Sequence, residues 1–240
     1  MTTPKMKTWM MKLMTKLMTP FAMTTFAIKI IAISAMLIDH AGAVFDLHIM
    51  TRIIGRAAFP LFVYLIACGC RHTKSLEKYL LRLGAFAIIS EIPFDLAFNE
   101  RIDFFNDTNI FYTLWLGVAC VYVYRELQKV RNIPALLVSV LPVYAAMMAA
   151  DWVSSDFGPM GVLFIFLTAI SNGHKHLQLG IMSGFMFLLY FANINMMIAA
   201  FAAVIIAALA NGERGPPVKW FFYLIYPGHL LILALLAFVL

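Results

Sequence analysis

The composition of this chain of 240 residues is that of a membrane protein, with 63% hydrophobic residues, 12% charged residues and a mean hydropathy of +0.88. Soluble domains contain about 45–50% apolar residues, so a soluble globular domain is excluded. The net charge of +6 belongs to loops beside apolar segments, which gives no basis for expecting a nucleic-acid partner.

The first 24 residues predict an amphipathic helix in the membrane interface, ahead of a single transmembrane domain over residues 25–240. A cleaved signal peptide is the rival interpretation, because lysines precede an apolar stretch and residues 41–43 are small. The polar residues directly before that small stretch suit a signal peptidase poorly. The polar face of this helix carries Thr8, Lys12, Thr15, Lys16 and Thr19. The apolar face carries Trp9, Met10, Leu13, Met14, Leu17 and Met18.

Apolar segments bounded by charges, proline or glycine follow one another along the rest of the chain. One crossing takes about 20 residues, so the chain has room for about nine crossings and short loops. Three of the segments are short for a full crossing, which predicts tilted or partly embedded helices. The sequence predicts an all-α bundle with spans near residues 26–45, 53–70, 79–98, 110–124, 133–150, 159–171, 177–190, 192–210 and 219–240.

The loops alternate between basic and acidic or neutral along the chain. Cytoplasmic loops are enriched in Lys and Arg, so this alternation predicts a cytoplasmic N-terminus, about nine crossings and an external C-terminus. The basic loops carry Arg71, Lys74 and Lys78, then Arg125, Lys129 and Arg131, then Lys175, and finally Arg214 and Lys219; the acidic loops carry Glu100, Asp103 and Asp107, then Asp151 and Asp156.

Asp39 and His40 lie inside an apolar segment that is long enough to cross a bilayer. Ionisable side chains in hydrocarbon cost several kcal/mol unless they face a polar interior, so by default they mark a functional site. His40 lies about 14 residues into the first span, or ~21 Å from its inner end. Neighbouring residues on a helix point in different directions, so Asp39 is a candidate partner either of His40 or of a base on another helix.

Other charged residues reach a similar depth from separate spans. Arg52 and Arg56 share one helical face at i, i+4 spacing, and Glu91 and Asp95 do the same on the third span. In a purely structural interpretation, the two arginines pair with these two carboxylates and only hold helices together. In the functional interpretation the same groups line a polar chamber. His229, near the middle of the last span, is a further candidate.

Ordered strings of sequence carry a resemblance to a known family. The strings are residues 29–40 (KIIAISAMLIDH), 52–62 (RIIGRAAFPLF), 91–95 (EIPFD), 156–163 (DFGPMGVL) and 220–230 (WFFYLIYPGHL). They are similar to the TraX family of membrane proteins, which is linked to N-terminal acetylation of conjugative pilin, and in turn to transmembrane acyltransferases such as heparan-alpha-glucosaminide N-acetyltransferase. The resemblance implies an enzyme of the bacterial inner membrane with cytoplasmic acetyl-CoA as donor and a pilin amine as acceptor.

In such a reaction His40 is the candidate general base, because an amine that attacks a thioester must lose a proton. Asp39 is expected to tune the imidazole, and an arginine to polarise the thioester carbonyl. A route through acetyl-His40 is the competing mechanism. The residues expected to line the acceptor pocket or to support it are Arg52, Arg56, Glu91, Asp95 and His229.

The phosphates of the donor require cations near the cytoplasm. The second basic loop and the start of the third span supply Arg71, His72, Lys78 and Arg82, although the positive-inside pattern alone also places Lys and Arg there. Residues 211–217 (NGERGPP) are given no catalytic role. The three cysteines show no metal-ligand spacing, so no metal is expected.

Two other functional classes fit parts of the pattern. In a proton-coupled secondary transporter, Asp39, His40, Glu91 and Asp95 would relay protons near the midplane. The chain shows no convincing internal repeat, which argues mildly against that class. In a scaffold for pilus assembly, the polar residues would serve only helix packing. Stabilisation by CoA or acetyl-CoA favours the acyltransferase, and proton-coupled flux in vesicles favours the transporter.

Overall fold

A computed structural model describes residues 21–99, 101–130, 134–171 and 173–239, and these fold as an all-helical bundle. The described residues form ten helices and no strand apart from one isolated bridge, which confirms the all-α prediction. Residues 1–20 of the predicted interfacial helix lie outside the described part of the chain. The helices are α1 (Thr25–Val44), α2 (Met50–Gly55), α3 (Ala58–His72), α4 (Leu76–Phe98), α5 (Ile110–Leu127), α6 (Ala135–Trp152), α7 (Gly158–Ile170), α8 (Lys175–Tyr190), α9 (Ile194–Ala208) and α10 (Lys219–Val239).

Each apolar segment of the sequence coincides with a helix, and the second segment is divided into α2 and α3 at residues 56 and 57. Helices α7 and α9 are apolar but shorter than a full crossing. The chain is a helical membrane protein, while the number of crossings and their orientation stay predictions. Among the described residues, four segments are long and apolar enough to cross a membrane: Thr25–Val44, Met50–His72, Ile110–Leu127 and Trp220–Val239.

Hydrogen bonds between loops show which helix termini lie at the same end of the bundle. At one end, Arg214 Nη2 donates to the carbonyl oxygen of His72 over 3.3 Å. At the other end, the backbone N–H of Asp156 donates to the carbonyl oxygen of Thr108 over 3.0 Å. Loops of like charge character in the sequence therefore meet in space. We call these the basic end (residues 72–75, 171, 173–175 and 209–218) and the acidic end (residues 45–49, 99, 101–109 and 153–157).

The interior of the bundle centres on α3, which packs against α1, α5, α7 and α9. Its apolar residues are buried almost without interruption from Ala58 to Ala67. Helix α10 packs on α4 and α1. The outward face of α10 is apolar and exposed, as expected for a surface in contact with lipid: Leu231, Ile232, Leu235 and Leu236.

Candidate functional site

An ion-pair cluster joins α1 to α2 at the acidic end. One carboxylate oxygen of Asp39 accepts from Arg52 Nη1 at 2.8 Å, and the other accepts from Arg56 Nη2 at 2.6 Å. The Asp39 side chain is only 13% exposed. The two helices approach this closely because residue 55 is glycine: a Cβ atom there would collide with the side chain of Asp39. Both oxygens of this carboxylate are therefore occupied by arginine.

His40, the next residue along α1, is hydrogen-bonded to a second histidine from the far end of the chain. His40 Nδ1 lies 2.7 Å from His229 Nε2, and the two rings are close to coplanar, with an interplanar angle of 17°. His229 Nδ1 lies 2.8 Å from the carbonyl oxygen of Ile225. A carbonyl oxygen only accepts, so His229 Nδ1 carries the proton and its Nε2 is the acceptor.

This chain of hydrogen bonds assigns the tautomer of His40. Because His229 Nε2 accepts, His40 Nδ1 must donate, and the lone pair of the neutral imidazole is then on Nε2. No hydrogen bond to His40 Nε2 is formed within the described part of the chain. Phe98 and Tyr226 contact the ring edge-on at 5.3 and 6.0 Å between centroids. His40 is thus held rigidly with one basic nitrogen free.

A cavity of about 250 Å³ opens beside this histidine. It lies between α1, α2, the start of α3, the end of α4 and the loop before α7. Aromatic side chains form much of its apolar wall, among them Phe59, Phe94 and Phe98. Its polar lining is contributed by Asp39, His40, Arg52, Arg56, Asp156 and Tyr226. We call it the His40 cavity.

Asp156 reaches this cavity from the loop between α6 and α7, which is tightly fixed. Thr113 Oγ1 donates to the backbone carbonyl of Asp156, and the Phe157 ring stacks on Phe59 at 3.6 Å between centroids. Ser154 and Phe157 both have a positive φ, 44° and 61°, which is unfavourable for non-glycine residues and persists only when the surroundings enforce it. The carboxyl is accessible through the cavity, yet the protein around it raises its pKa to about 6 by desolvation.

Glu91 and Asp95 do not line the His40 cavity and do not pair with the arginines, so the structural interpretation offered for these four residues is corrected. Glu91 is fully buried and accepts from the side-chain amide of Asn109, the residue that caps α5. Asp95 accepts from Asn99 Nδ2 and from the backbone N–H of Asp103, both at 2.7 Å. The two carboxylates hold the loop between α4 and α5 in place at the acidic end, beside the cavity.

A second, larger cavity of about 460 Å³ opens toward the basic end, and we call it the basic-end cavity. Its walls are mostly apolar and aromatic, and its charged lining is Lys29, Arg82 and Arg214, with His72 beside them. Arg82 Nε is buried without a hydrogen-bond partner among the described residues, while its guanidinium lies 5.8 Å from the Tyr79 ring. A buried unpartnered N–H beside other cations suits an anionic ligand.

The two cavities are neighbours that share part of their walls. Met36, Phe62, Ile110 and Tyr226 line both of them. A long ligand held by cations at the basic end would meet the His40 cavity at these four side chains.

Two of the predicted donor-binding residues line the basic-end cavity and two do not. His72 and Arg82 belong to its wall, whereas Arg71 and Lys78 are exposed side chains outside it. The segment that was given no role, residues 211–217, supplies part of the wall, including Arg214.

Comparison with known protein families matches nearly the same residues as the helical bundle. The family model described as TraX protein matches residues 25–237. The chain belongs to the TraX family. The match includes every residue that lines the two cavities, so both cavities lie within the TraX region of the chain.

A curated relative covers most of the same region. The chain is 25% identical to a protein of Dichelobacter nodosus described as probable fimbrial assembly protein FimC, serogroup H1, over 83% of this chain and 84% of the relative. No solved structure matches this TraX-family chain.

Sequence reasoning assigned no site role to four of the residues that line these cavities. Lys29 is a lysine within the first apolar span, a signal that by the same rule as Asp39 marks a functional group. Asp156 and Tyr226 both lie in strings that carry the TraX resemblance. Arg214 gave no signal beyond the basic character of its loop.

Proposed function

We propose that this TraX-family chain is a membrane-embedded acetyltransferase that moves acetyl from acetyl-CoA to the N-terminal amine of a pilin subunit. Family membership and the relative described as a probable fimbrial assembly protein support a role in pilus assembly. One observation carries the chemical part of the proposal: a cavity with a cationic lining shares a wall with a cavity that contains an oriented histidine. Acetyl transfer from a long anionic donor requires both.

The donor would occupy the basic-end cavity. Lys29, Arg82 and Arg214 supply cations for the phosphates of CoA, and the apolar walls suit its pantetheine arm. The thioester would then lie at the wall shared with the His40 cavity. By the positive-inside rule the basic end faces the cytoplasm, where acetyl-CoA is available, and the chain lies in the bacterial inner membrane.

The acceptor amine would enter the His40 cavity. His40 Nε2 takes a proton from the amine as the amine nitrogen attacks the thioester carbonyl carbon. A C–N bond forms and the C–S bond breaks. The CoA thiolate leaves with its electron pair and recovers the proton from the imidazolium, so that the products are an N-acetyl amine and CoA thiol.

Three residues would assist this step. His229 Nε2 accepts a hydrogen bond from the Nδ1–H group of His40, and this bond stabilises the imidazolium as it forms. Arg52 and Arg56 line the same cavity, and each guanidinium has N–H groups beyond those bound to Asp39, which can stabilise the developing oxyanion. Asp39 binds Arg52 and Arg56 rather than the imidazole of His40. It therefore positions the arginines instead of tuning His40, the role expected from the sequence.

A direct assay tests the proposal. Purified protein in lipid nanodiscs is incubated with labelled acetyl-CoA and a peptide that has the N-terminal sequence of the pilin. We expect acetylated peptide, and a KM for acetyl-CoA that rises in Arg82→Gln while the KM for the peptide is unchanged. Lys129→Gln is the matched control, because Lys129 lies on the surface and pairs with Glu126. Absence of transfer by protein whose melting temperature does not respond to CoA would refute the proposal.

The same preparation separates the remaining alternatives. A route through acetyl-His40 predicts exchange of label between acetyl-CoA and CoA without acceptor, whereas direct transfer predicts none. A transporter predicts proton-coupled flux in vesicles. The structure gives that alternative little support, since Asp39 is saturated by arginines and Glu91 and Asp95 lie outside the cavity.

A further inference from the structure

The His40 cavity contains a second carboxylate that the acetyl-transfer mechanism does not use. We infer that Asp156 is the residue that recognises the acceptor, by binding its amine in the cationic form before the proton is removed. The inference rests on the proposed function and deepens it, because it restricts the acceptor to a primary ammonium group.

The charges around the cavity support this assignment. Asp39 is bound through both oxygens by Arg52 and Arg56. Asp156 forms no ion pair with any side chain in the described residues, and the backbone N–H of Phe157 is the group that hydrogen-bonds to its carboxylate. Most of the acceptor capacity of this carboxylate therefore remains for a ligand. A charged ammonium carries three donors for such a group.

The loop holds Asp156 in place without help from a ligand. Its backbone N–H donates to the Thr108 carbonyl at 3.0 Å, and its carbonyl accepts from Thr113 Oγ1. The left-handed backbone of Phe157 and the stacking of its ring on Phe59 fix the following residue. A carboxylate fixed before the ligand arrives loses little conformational freedom on binding, which is a property of recognition groups.

The charge of the Asp156 carboxylate matters for binding the acceptor amine. An α-amine is mostly protonated at neutral pH, since its usual pKa is about 7.7–8.0. Without Asp156 the two arginines and Asp39 would leave the cavity with excess positive charge and repel the ammonium. Asp156 balances that charge and binds the ammonium. The bound ammonium loses one proton to water, and the neutral amine is then bound more weakly by the carboxylate. It attacks the thioester while His40 takes the second proton, which passes to the CoA thiolate as described above.

The test uses the full chain in nanodiscs, acetyl-CoA, and two synthetic pentapeptides that differ only in an N-terminal amine or hydroxyl. Asp156→Asn should raise the KM for the amine peptide about tenfold, the effect of losing a hydrogen bond between charged groups. The inhibition constant of the hydroxyl peptide and the KM for acetyl-CoA should not change. Asp103→Asn, in an acidic-end loop outside the cavity lining, is the matched control.

The outcomes separate this inference from the proposed function. If the wild type transfers acetyl and Asp156→Asn has the wild-type KM for the amine peptide, Asp156 is not the recognition residue and the acetyltransferase stands. If the wild type acetylates no amine, the proposed function fails, and this inference fails with it. Should Asp156→Asn not fold, the wild type alone decides: the amine peptide must bind about tenfold more tightly than the hydroxyl peptide, and equal affinity refutes the inference.

Discussion

Replacement of His229 by phenylalanine is the sharpest perturbation of the site, because it removes the acceptor of the His40 Nδ1 proton and keeps a ring in place. His229 is 8% exposed, so water does not easily replace it. Without that acceptor the neutral His40 ring is no longer confined to the tautomer with a lone pair on Nε2. The imidazolium formed during acetyl transfer also loses its hydrogen-bond partner.

The size of the effect follows from the hydrogen bond at 2.7 Å between the two rings. A hydrogen bond from a charged donor contributes about 1.5–3 kcal/mol. Lost from the transition state alone, that energy lowers kcat about ten- to hundredfold. The KM for acetyl-CoA should be unchanged, because His229 does not line the basic-end cavity.

The assay is steady-state acetyl transfer in nanodiscs, with kcat and both KM values measured for the wild type and His229→Phe. His48→Phe is the matched control, since His48 is an exposed histidine at the acidic end and does not line the cavity. His229→Gln keeps a side-chain acceptor and should recover part of the activity. A wild-type kcat in His229→Phe would show that the histidine pair does not orient the base.

Three further predictions follow from other parts of the structure. Arg214→Gln should weaken acetyl-CoA binding several-fold in a thermal-shift titration, whereas Lys129→Gln should not; equal binding in both variants would remove the loop from the donor site. Gly55→Ala should lower Tm by a few degrees, because overpacking costs about 1–3 kcal/mol, while Gly184→Ala, with open space around it, should leave Tm unchanged or higher. As the pH falls through about 6, the KM for the amine peptide should rise, because desolvation by the surrounding protein raises the pKa of Asp156 to about 6 and protonation removes its charge. A KM for the wild type that does not change with pH would contradict this.

The order and type of the helices could be predicted because they depend on local sequence. Each apolar run of the chain forms a helix, and only the break between α2 and α3 was not foreseen. The depth of charged residues was also accessible, since a helix rises by 1.5 Å per residue. For that reason Asp39, His40, Arg52 and Arg56 were expected together, and they line one cavity.

The choice of partners within that depth could not be predicted, because it depends on how each helix is rotated against its neighbours. The two histidines that pair are 189 residues apart in sequence. Asp39 had several possible partners, and it is the packing of α2 on α1 at Gly55 that selects Arg52 and Arg56. No sequence periodicity carries that information.

The positions of loop residues relative to the two cavities could not be predicted either. The sequence places Asp156 in a loop, and it does lie in the loop between α6 and α7, but the hydrogen bonds to Thr108 and Thr113 bring its carboxylate into the wall of the His40 cavity. Residues 211–217 receive no catalytic role from the sequence, yet their backbone is hydrogen-bonded to the start of α1 at Met23 and Thr25, and Arg214 lines the basic-end cavity. Such long-range contacts place functional residues on loops without leaving a motif.

The mass of pilin from cells tests most directly the claim that His40 removes the proton from the acceptor amine. Pilin is isolated from cells that carry the wild-type protein, His40→Ala or the control His48→Ala at matched expression, and its N-terminus is analysed by mass spectrometry. The account predicts acetylated pilin with the wild type and the control, and a free amine with His40→Ala. Fully acetylated pilin in the His40→Ala cells would contradict it.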